Sequence, residues 1–271
     1  MEYIAFLESV LDDAAKMALS FPPGGPAHVK AEDADQVVTP ADTALSAFLK
    51  HRIRERFPDD GVVDEESGPV RGTTPVTWVI DPIDGSSNFA AGSPLFGVMV
   101  GVLRHGRPVA GGVALPALAE TYLAESGHGA FLNGKRLEIP ADGAIARDLI
   151  SYGIDVHHDD IDLDFGILAG LAPRCRGVRM SNSVFDCMMV ARSAYTAFMH
   201  RNNRLWDCVA PHVIVEESGG IFTGMDGRRL DYTDPLARLD DVYSILACAP
   251  HVYDTLTGLI RTNLSNRTQN E

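Results

Sequence analysis

Between residues 61 and 131 the chain breaks into short β-rich runs, at 76–80, 95–103, 108–115 and 120–124, each cut off by glycine or proline. Runs of that length, joined by turns at Arg104-His105-Gly106-Arg107 and Ser126-Gly127-His128-Gly129, fold as neighbouring antiparallel strands. Two helices precede them. The first repeats Ile4, Leu7, Leu11, Ala14 and Ala18 at helical spacing and stops at Phe21-Pro22-Pro23-Gly24-Gly25. The second is expected over 39–57, with Thr39 as N-cap, Pro40 in the first turn, and Leu45, Phe48, Leu49 and Ile53 along one face.

After Pro140 the pattern changes to alternation. Strands are expected at 149–153, 175–179, 194–199 and 242–247, and helices at 163–171, 184–192 and 207–217, the last closed by Gly219-Gly220. The fold class is therefore mixed α/β (α+β), with helices and antiparallel sheet over 1–140 and an α/β half over 141–262. The polar tail, 263–271, is expected to fray. Neither an internal repeat nor a low-complexity linker divides 1–271, so one unit is expected.

Composition narrows the function. With 45% apolar residues and a mean hydropathy near zero, the chain has the make-up of a globular core. Lys and Arg number 23 against 37 Asp and Glu, a net charge of −14, which argues against nucleic acid or an anionic membrane as partner. No apolar run approaches the roughly 18 to 20 residues of a transmembrane helix. Met1-Glu2-Tyr3 has no positive leader, and Asp12 and Asp13 interrupt a secretory reading, so a cytoplasmic protein is expected. Cys175, Cys187, Cys208 and Cys248 form no CxxC pair and read as small buried hydrophobes.

The chemistry gathers at Trp78-Val79-Ile80-Asp81-Pro82-Ile83-Asp84-Gly85-Ser86-Ser87-Asn88-Phe89. An apolar strand delivers Asp81 at its end, and a turn can bring Asp84 to the same point. Gly85 allows close backbone approach, and Ser86-Ser87 opens the next element with free amides. Carboxylates beside such a turn make a place where a hard cation meets a phosphate. Gly61-Val62-Val63-Asp64-Glu65-Glu66 likewise ends an apolar run in acids, and Trp206-Asp207 sits at a helix start. Four acids from three element ends suit a multi-metal phosphoryl-transfer site.

With these motifs in order and at this spacing, the chain resembles the lithium-sensitive, Mg²⁺-dependent phosphatases of the inositol monophosphatase family. The resemblance also takes in Val38-Thr39-Pro40-Ala41-Asp42, Gly129-Ala130-Phe131-Leu132-Asn133-Gly134 and Glu217-Ser218-Gly219-Gly220, and covers about residues 35 to 225. It implies a layered αβαβα sandwich of the sugar-phosphatase type. It further implies that Glu65, Asp81 and the carbonyl of Ile83 hold one Mg²⁺, that Asp81, Asp84 and Asp207 hold a second, and that a third, weaker ion shares Glu65. Asp42 and Ser86 match the pair that orients the attacking water, with Ser86 where the family usually has Thr. The amides of Gly85, Ser86 and Ser87 match the phosphate cradle. The implied activity is phosphomonoester hydrolysis by metal-activated water, with Li⁺ as inhibitor and a homodimer as the assembly.

The substrate end departs from the family. Members acting on inositol phosphates carry a Gly-Ser-Ala-like segment and a hydroxyl-binding Glu six residues before Trp-Asp. Here those positions read Ser181-Asn182-Ser183 and His200, with Arg201, Asn202 and Arg204 alongside. The expected substrate is a small polyol or sugar phosphate, inositol-1-phosphate-like, with Ser183 and His200 as contacts. Fructose 1,6-bisphosphate, histidinol phosphate and 3'-phosphoadenosine 5'-phosphate are the alternatives within the enzyme class. A non-catalytic regulator on the same fold, acting by binding another protein, is the alternative of another class. The acidic run Asp155 to Asp164 fails the EF-hand spacing, with Phe165 where Gly is required, and reads as a charged loop and helix start.

Overall fold

The computed structural model describes residues 2–22, 24–25, 27–30, 33–155 and 161–268. The N-terminal half runs α1 (Ile4–Ser20), β1 (His28–Lys30), β2 (Asp33–Val38), α2 (Pro40–Arg56), β3 (Gly61–Asp64), β4 (Gly68–Val70), β5 (Val76–Asp84) and α3 (Ser86–Ala90). It continues through β6 (Gly97–Arg104), β7 (Arg107–Leu115), β8 (Glu120–Glu125), β9 (Gly129–Leu132) and β10 (Lys135–Arg136). The second half runs β11 (Leu149–Tyr152), α4 (Ile161–Leu171), β12 (Gly177–Arg179), α5 (Val184–Ala191), β13 (Ala197–Asn203), α6 (Leu205–Glu217), β14 (Ile221–Thr223), β15 (Tyr243–Cys248) and α7 (Tyr253–Thr268).

Two sheets carry the architecture. The larger is ordered β10-β9-β8-β7-β6-β5-β3-β4 and is antiparallel except where β3 runs parallel to β5, a pairing the antiparallel expectation missed. The smaller, β12-β11-β13-β15-β14, is mixed. On the outer face of the large sheet, α1 and α2 bury Leu7, Leu11, Leu45, Leu49 and Ile53 against Trp78, Val100 and Val102. Between the sheets, α5 and α6 share one core with Val79, Met99, Phe198 and Ile245. Beyond the small sheet, α4 and α7 cover Ile150, Met199 and Leu246. The layers are thus α, β, α, β, α, as the resemblance implied.

Several contacts place the elements that matter for the site. Trp78 on β5 is fully buried, with its ring 5.6 Å from Tyr3, 5.3 Å from Phe6 and 4.8 Å from Phe57. Its Nε1 donates to Asp60 (2.9 Å), so β5 is pinned beneath both outer helices. On the opposite face, a Cβ at Gly111 would stand 2.5 Å from the Ala210 carbonyl, so only glycine lets α6 lie this close to the sheet. That close seating carries the first turn of α6 over the end of β5.

The tail is not frayed where it is described: α7 extends to Thr268. Its Thr, Asn and Ser residues are weak helix formers, but Leu256 and Ile260 bury against the small sheet, and that packing outweighs propensity. The strand expected at 194–199 begins at Ala197 and runs on to Asn203, which brings His200 into the sheet. The cysteines are unpaired, with Cys187, Cys208 and Cys248 buried and Cys175 half-buried.

Candidate active site

Strand β5 does not end at Ile80 but continues through Pro82 to Asp84, and its register with β6 slips between Asp81 and Asp84. In a regular strand residues three apart point to opposite faces. The slip, at a proline that has no N–H for the ladder, removes that alternation and turns both carboxylates into one cavity. Next to it, β3 pairs Asp64 with Ile80, so Glu65 follows directly beside Asp81, and its amide donates to the Ile80 carbonyl (3.2 Å). Asp64 itself takes no part in the cavity. It is fully buried, accepting from Ser46 (2.5 Å) and Ser67 and facing Lys50 at 3.4 Å.

Asp207 arrives from the first turn of α6, where its Oδ2 accepts the Arg204 amide (2.6 Å). One oxygen each of Asp81, Asp84 and Asp207 lies within 4.8 Å of the others. Asp84 also accepts from the Val184 amide at the start of α5, which ties the two halves of the chain together here. Asp81 is 2% exposed, and its Oδ1 has no hydrogen-bond partner. Burial, then the charges of Glu65 and Asp84, push the Asp81 carboxyl well above its ordinary range. Burial and the Asp207 charge do the same to Asp84. Burial also raises Asp207, against the pull of the Arg204 amide. A buried, mutually repelling set with an orphaned oxygen fits a hard cation of the Mg²⁺ type, which takes oxygen ligands.

A hydroxyl relay stands beside the acids. Asp42 is completely buried in the first turn of α2, and its Oδ2 accepts both the Thr39 amide (2.7 Å) and the Thr39 hydroxyl (2.5 Å). Its Oδ1 faces the Ser86 hydroxyl at 2.8 Å, and Ser86 Oγ is also 2.8 Å from the Ile83 carbonyl. Gly85, at φ +80°, makes the sharp turn from β5 into α3, and a Cβ there would press on Ser183 and the Leu95 carbonyl at 3.0 and 3.1 Å. That turn lets Gly85, Ser86 and Ser87 line the cavity directly.

The cavity measures about 340 Å³. Glu65, Asp81, Ile83, Asp84 and Asp207 line it together with Ile154, Asp155, Asn182, Asn202, Arg204 and Trp206. Of the residues expected from the sequence, Asp42, Ser183 and His200 do not line it, and Asp42 reaches it only through Ser86. Ser183 is the N-cap of α5 and 5% exposed, in a side recess of about 80 Å³ that it shares with Asp84, His200 and Asp207. His200 Nε2 lies 2.9 Å from Asp155 Oδ2, and its Nδ1 lies 3.0 Å from Asn203 Oδ1. Burial works to lower the His200 pKa, but the hydrogen bond and charge of Asp155 outweigh it and the net shift is upward.

The acidic run splits in two. Asp164 is buried, accepting from Tyr152 Oη (2.7 Å) and facing Arg201 Nε at 2.9 Å, so Arg201 is taken up inside the fold. Asp155 lines the cavity, while residues 156–160 lie outside the described set. The expectation of a charged loop does not hold for Asp155, which ends an apolar run just as Asp81 and Glu65 do. No described helix is long and apolar enough to cross a membrane.

The model of the inositol monophosphatase family matches residues 4–255. The chain is 31% identical to the chloroplastic phosphatase IMPL1 of Arabidopsis thaliana over 77% of its own length and 59% of the plant protein's. It is 31% identical to a fructose-1,6-bisphosphatase/inositol-1-monophosphatase of Aquifex aeolicus, covering 69% of this chain and 71% of the relative. A histidinol-phosphatase of Chlorobaculum parvum is 32% identical over 72% and 75% of the two chains. The inositol monophosphatase structure from Thermotoga maritima superposes with a TM-score of 0.85 at 24% identity, over 98% and 99% of the two chains.

Proposed function

The chain belongs to the inositol monophosphatase family of phosphatases, and from that premise we propose that it is a Mg²⁺-dependent phosphomonoesterase acting on a small polyol or sugar-like phosphate. The observation that carries the metal dependence is the orphaned, buried Asp81 Oδ1 within a convergent triad with Asp84 and Asp207. Glu65, Asp81 and the Ile83 carbonyl would hold one ion, Asp81, Asp84 and Asp207 a second, and Glu65 would share a third, weaker one. When bound, such ions acidify the attacking water, offset the charge of the phosphate and stabilise the departing alkoxide.

The protein's own groups then position and move protons. The Gly85, Ser86 and Ser87 amides hold the non-bridging phosphate oxygens beside the acidic wall. Asp42 has its Oδ2 saturated by Thr39, so its Oδ1 is committed to Ser86. Ser86 Oγ accepts the proton of the attacking water and passes its own to Asp42 Oδ1, leaving the oxygen in line with the ester bond. The displacement is direct, without a covalent enzyme intermediate. Ser in place of the family's usual Thr keeps the hydroxyl that this step needs.

The non-catalytic alternative is disfavoured because every acidic metal ligand that the resemblance implies is retained in one cavity. The test is phosphate release by cation-stripped protein from inositol 1-phosphate, histidinol phosphate, fructose 1,6-bisphosphate and 3'-phosphoadenosine 5'-phosphate, with and without Mg²⁺. Release of phosphate from at least one, only with Mg²⁺, is the expected result. Equal release in excess chelator would overturn the metal dependence, and none from any of the four would favour the regulator.

A further inference from the structure

We propose that Asp155, held by His200, reads hydrogen-bond donors on the leaving alcohol, so that hydroxyl- or ammonium-bearing monophosphates are preferred over bisphosphates. This rests on the phosphatase reading above. Asp155 lies three residues beyond β11, lines the same cavity as the acidic triad, and keeps 23% of its side chain exposed. The alcohol of a phosphate seated on the triad thus shares its cavity with this carboxylate.

The geometry around His200 sets the charge of the pair. Asn203 Nδ2 donates to the His200 and Tyr243 carbonyls, both at 3.0 Å, which orients the carboxamide and points its Oδ1 at His200 Nδ1. The other ring nitrogen faces Asp155 Oδ2. With an acceptor at each nitrogen, both carry hydrogens, and the ring is an imidazolium locked at both ends. His200 is therefore a positioning residue, and Asp155 is an ionised acceptor fixed in the cavity wall. The pair is neutral overall, so it adds an acceptor to an acidic cleft without adding net charge.

A second phosphate on the substrate would meet that carboxylate. Arg204 is the cationic side chain among the described lining residues, and its Nη1 already donates to the Asp240 carbonyl (2.6 Å). A hydroxyl or ammonium donor meets Asp155 with the favourable polarity of a charge-assisted hydrogen bond.

The test is steady-state kinetics of the full chain with Mg²⁺ on four phosphates: inositol 1-phosphate, with hydroxyl donors; histidinol phosphate, with an ammonium; p-nitrophenyl phosphate, whose leaving group has no donor; and fructose 1,6-bisphosphate. Asp155→Ala is expected to raise KM for at least one of the first two about 10- to 100-fold, the range of a lost hydrogen bond to a charged group, with kcat nearly unchanged. Turnover of p-nitrophenyl phosphate should change less than that of the donor-bearing substrates. Asp155→Asn separates the two donors, because a carboxamide oxygen still accepts from a hydroxyl but lacks the charge that holds an ammonium. His200→Gln should raise the same KM by a smaller factor, and Asp155→Glu should restore part of the loss.

An Asp155→Ala variant that slows all four substrates alike, or none, would overturn the proposal, as would a wild-type preference for the bisphosphate. If the wild type releases phosphate from none of them, the phosphatase reading fails by itself. Calorimetric titration with inositol 1-phosphate and histidinol phosphate then decides the role of Asp155: binding lost in Asp155→Ala supports it, and binding absent in the wild type or unchanged in the variant overturns it.

Discussion

On the wall formed by β5 and α6, Asp81, Asp84 and Asp207 face one another; burial raises all three carboxyls, and neighbouring carboxylate charge adds to it at Asp81 and Asp84. Elsewhere in the same half of the chain as Asp207, Asp155 and Asp164 meet His200 and Arg201, each at 2.9 Å. Buried carboxylates of one kind thus do two jobs. Those with basic partners inside the chain hold the fold and fix its geometry, and those without are an instability that only something brought in from solution relieves. Such a set persists in a folded protein because the surrounding layers carry the cost, which is the trade between stability and activity expected at a functional site.

The largest effects should come from the unpartnered wall. Asp84→Asn or Asp207→Asn is expected to lower phosphate release about a thousandfold or more, while thermal melts of the metal-free variants stay level or move up, since a repelling charge has gone. Retained turnover in both, or a sharp fall in melting temperature, would break the comparison. Next in size, Arg201→Met leaves Asp164 buried without its guanidinium and should cost about 3 to 5 kcal/mol in denaturant unfolding. The double change Arg201→Met with Asp164→Leu should recover much of that loss; a single variant as stable as the wild type would show that this pairing does not hold the fold.

Ser86→Ala removes the hydroxyl between Asp42 and the cavity and should lower kcat by about a hundredfold, whereas Ser86→Thr should stay within a few-fold of the wild type. Equal loss in both variants would point to crowding rather than the hydroxyl. The smallest effect concerns pH. Because burial and neighbouring charge raise the Asp81 and Asp84 carboxyls, the folded metal-free protein binds their protons more tightly than the unfolded chain does. Their contribution is therefore fully present below the ordinary carboxylate range near pH 4 and is lost as pH rises through the raised folded values. Melting temperature measured from acid to pH 8 should fall along this limb in chelator and flatten with Mg²⁺. A curve unaffected by Mg²⁺ would separate the acids from cation binding.

The layers and the acidic wall were legible in the sequence because both leave local marks: short β runs cut by Gly and Pro, and apolar runs ending in Asp or Glu. The slip between Asp81 and Asp84 was not, since a turn after Ile80 and a slipped strand present the same residues. The parallel seating of β3 on β5 was hidden for a similar reason, because pairing direction depends on the path of the intervening chain. Helix α7 was missed because its Thr and Asn residues speak against a helix that tertiary packing nevertheless forms. His200 is expected from the sequence to touch substrate itself. Its role became visible only when Asp155 and Asn203 were seen at its two ring nitrogens, a contact across 45 residues in one direction. Charge alone could not have shown that Arg201 turns inward to Asp164 while Asp155 turns toward the cavity.

The central claim is that the unpartnered wall exists to hold Mg²⁺ for phosphate release. The most direct test is a Mg²⁺ titration of phosphate release by cation-stripped wild type and Asp84→Asn, with inositol 1-phosphate and histidinol phosphate as substrates. The account predicts saturable Mg²⁺ activation in the wild type from a baseline near zero, and no activation in Asp84→Asn. Release in excess chelator at the Mg²⁺-saturated rate, or equal activation of the variant, would contradict it.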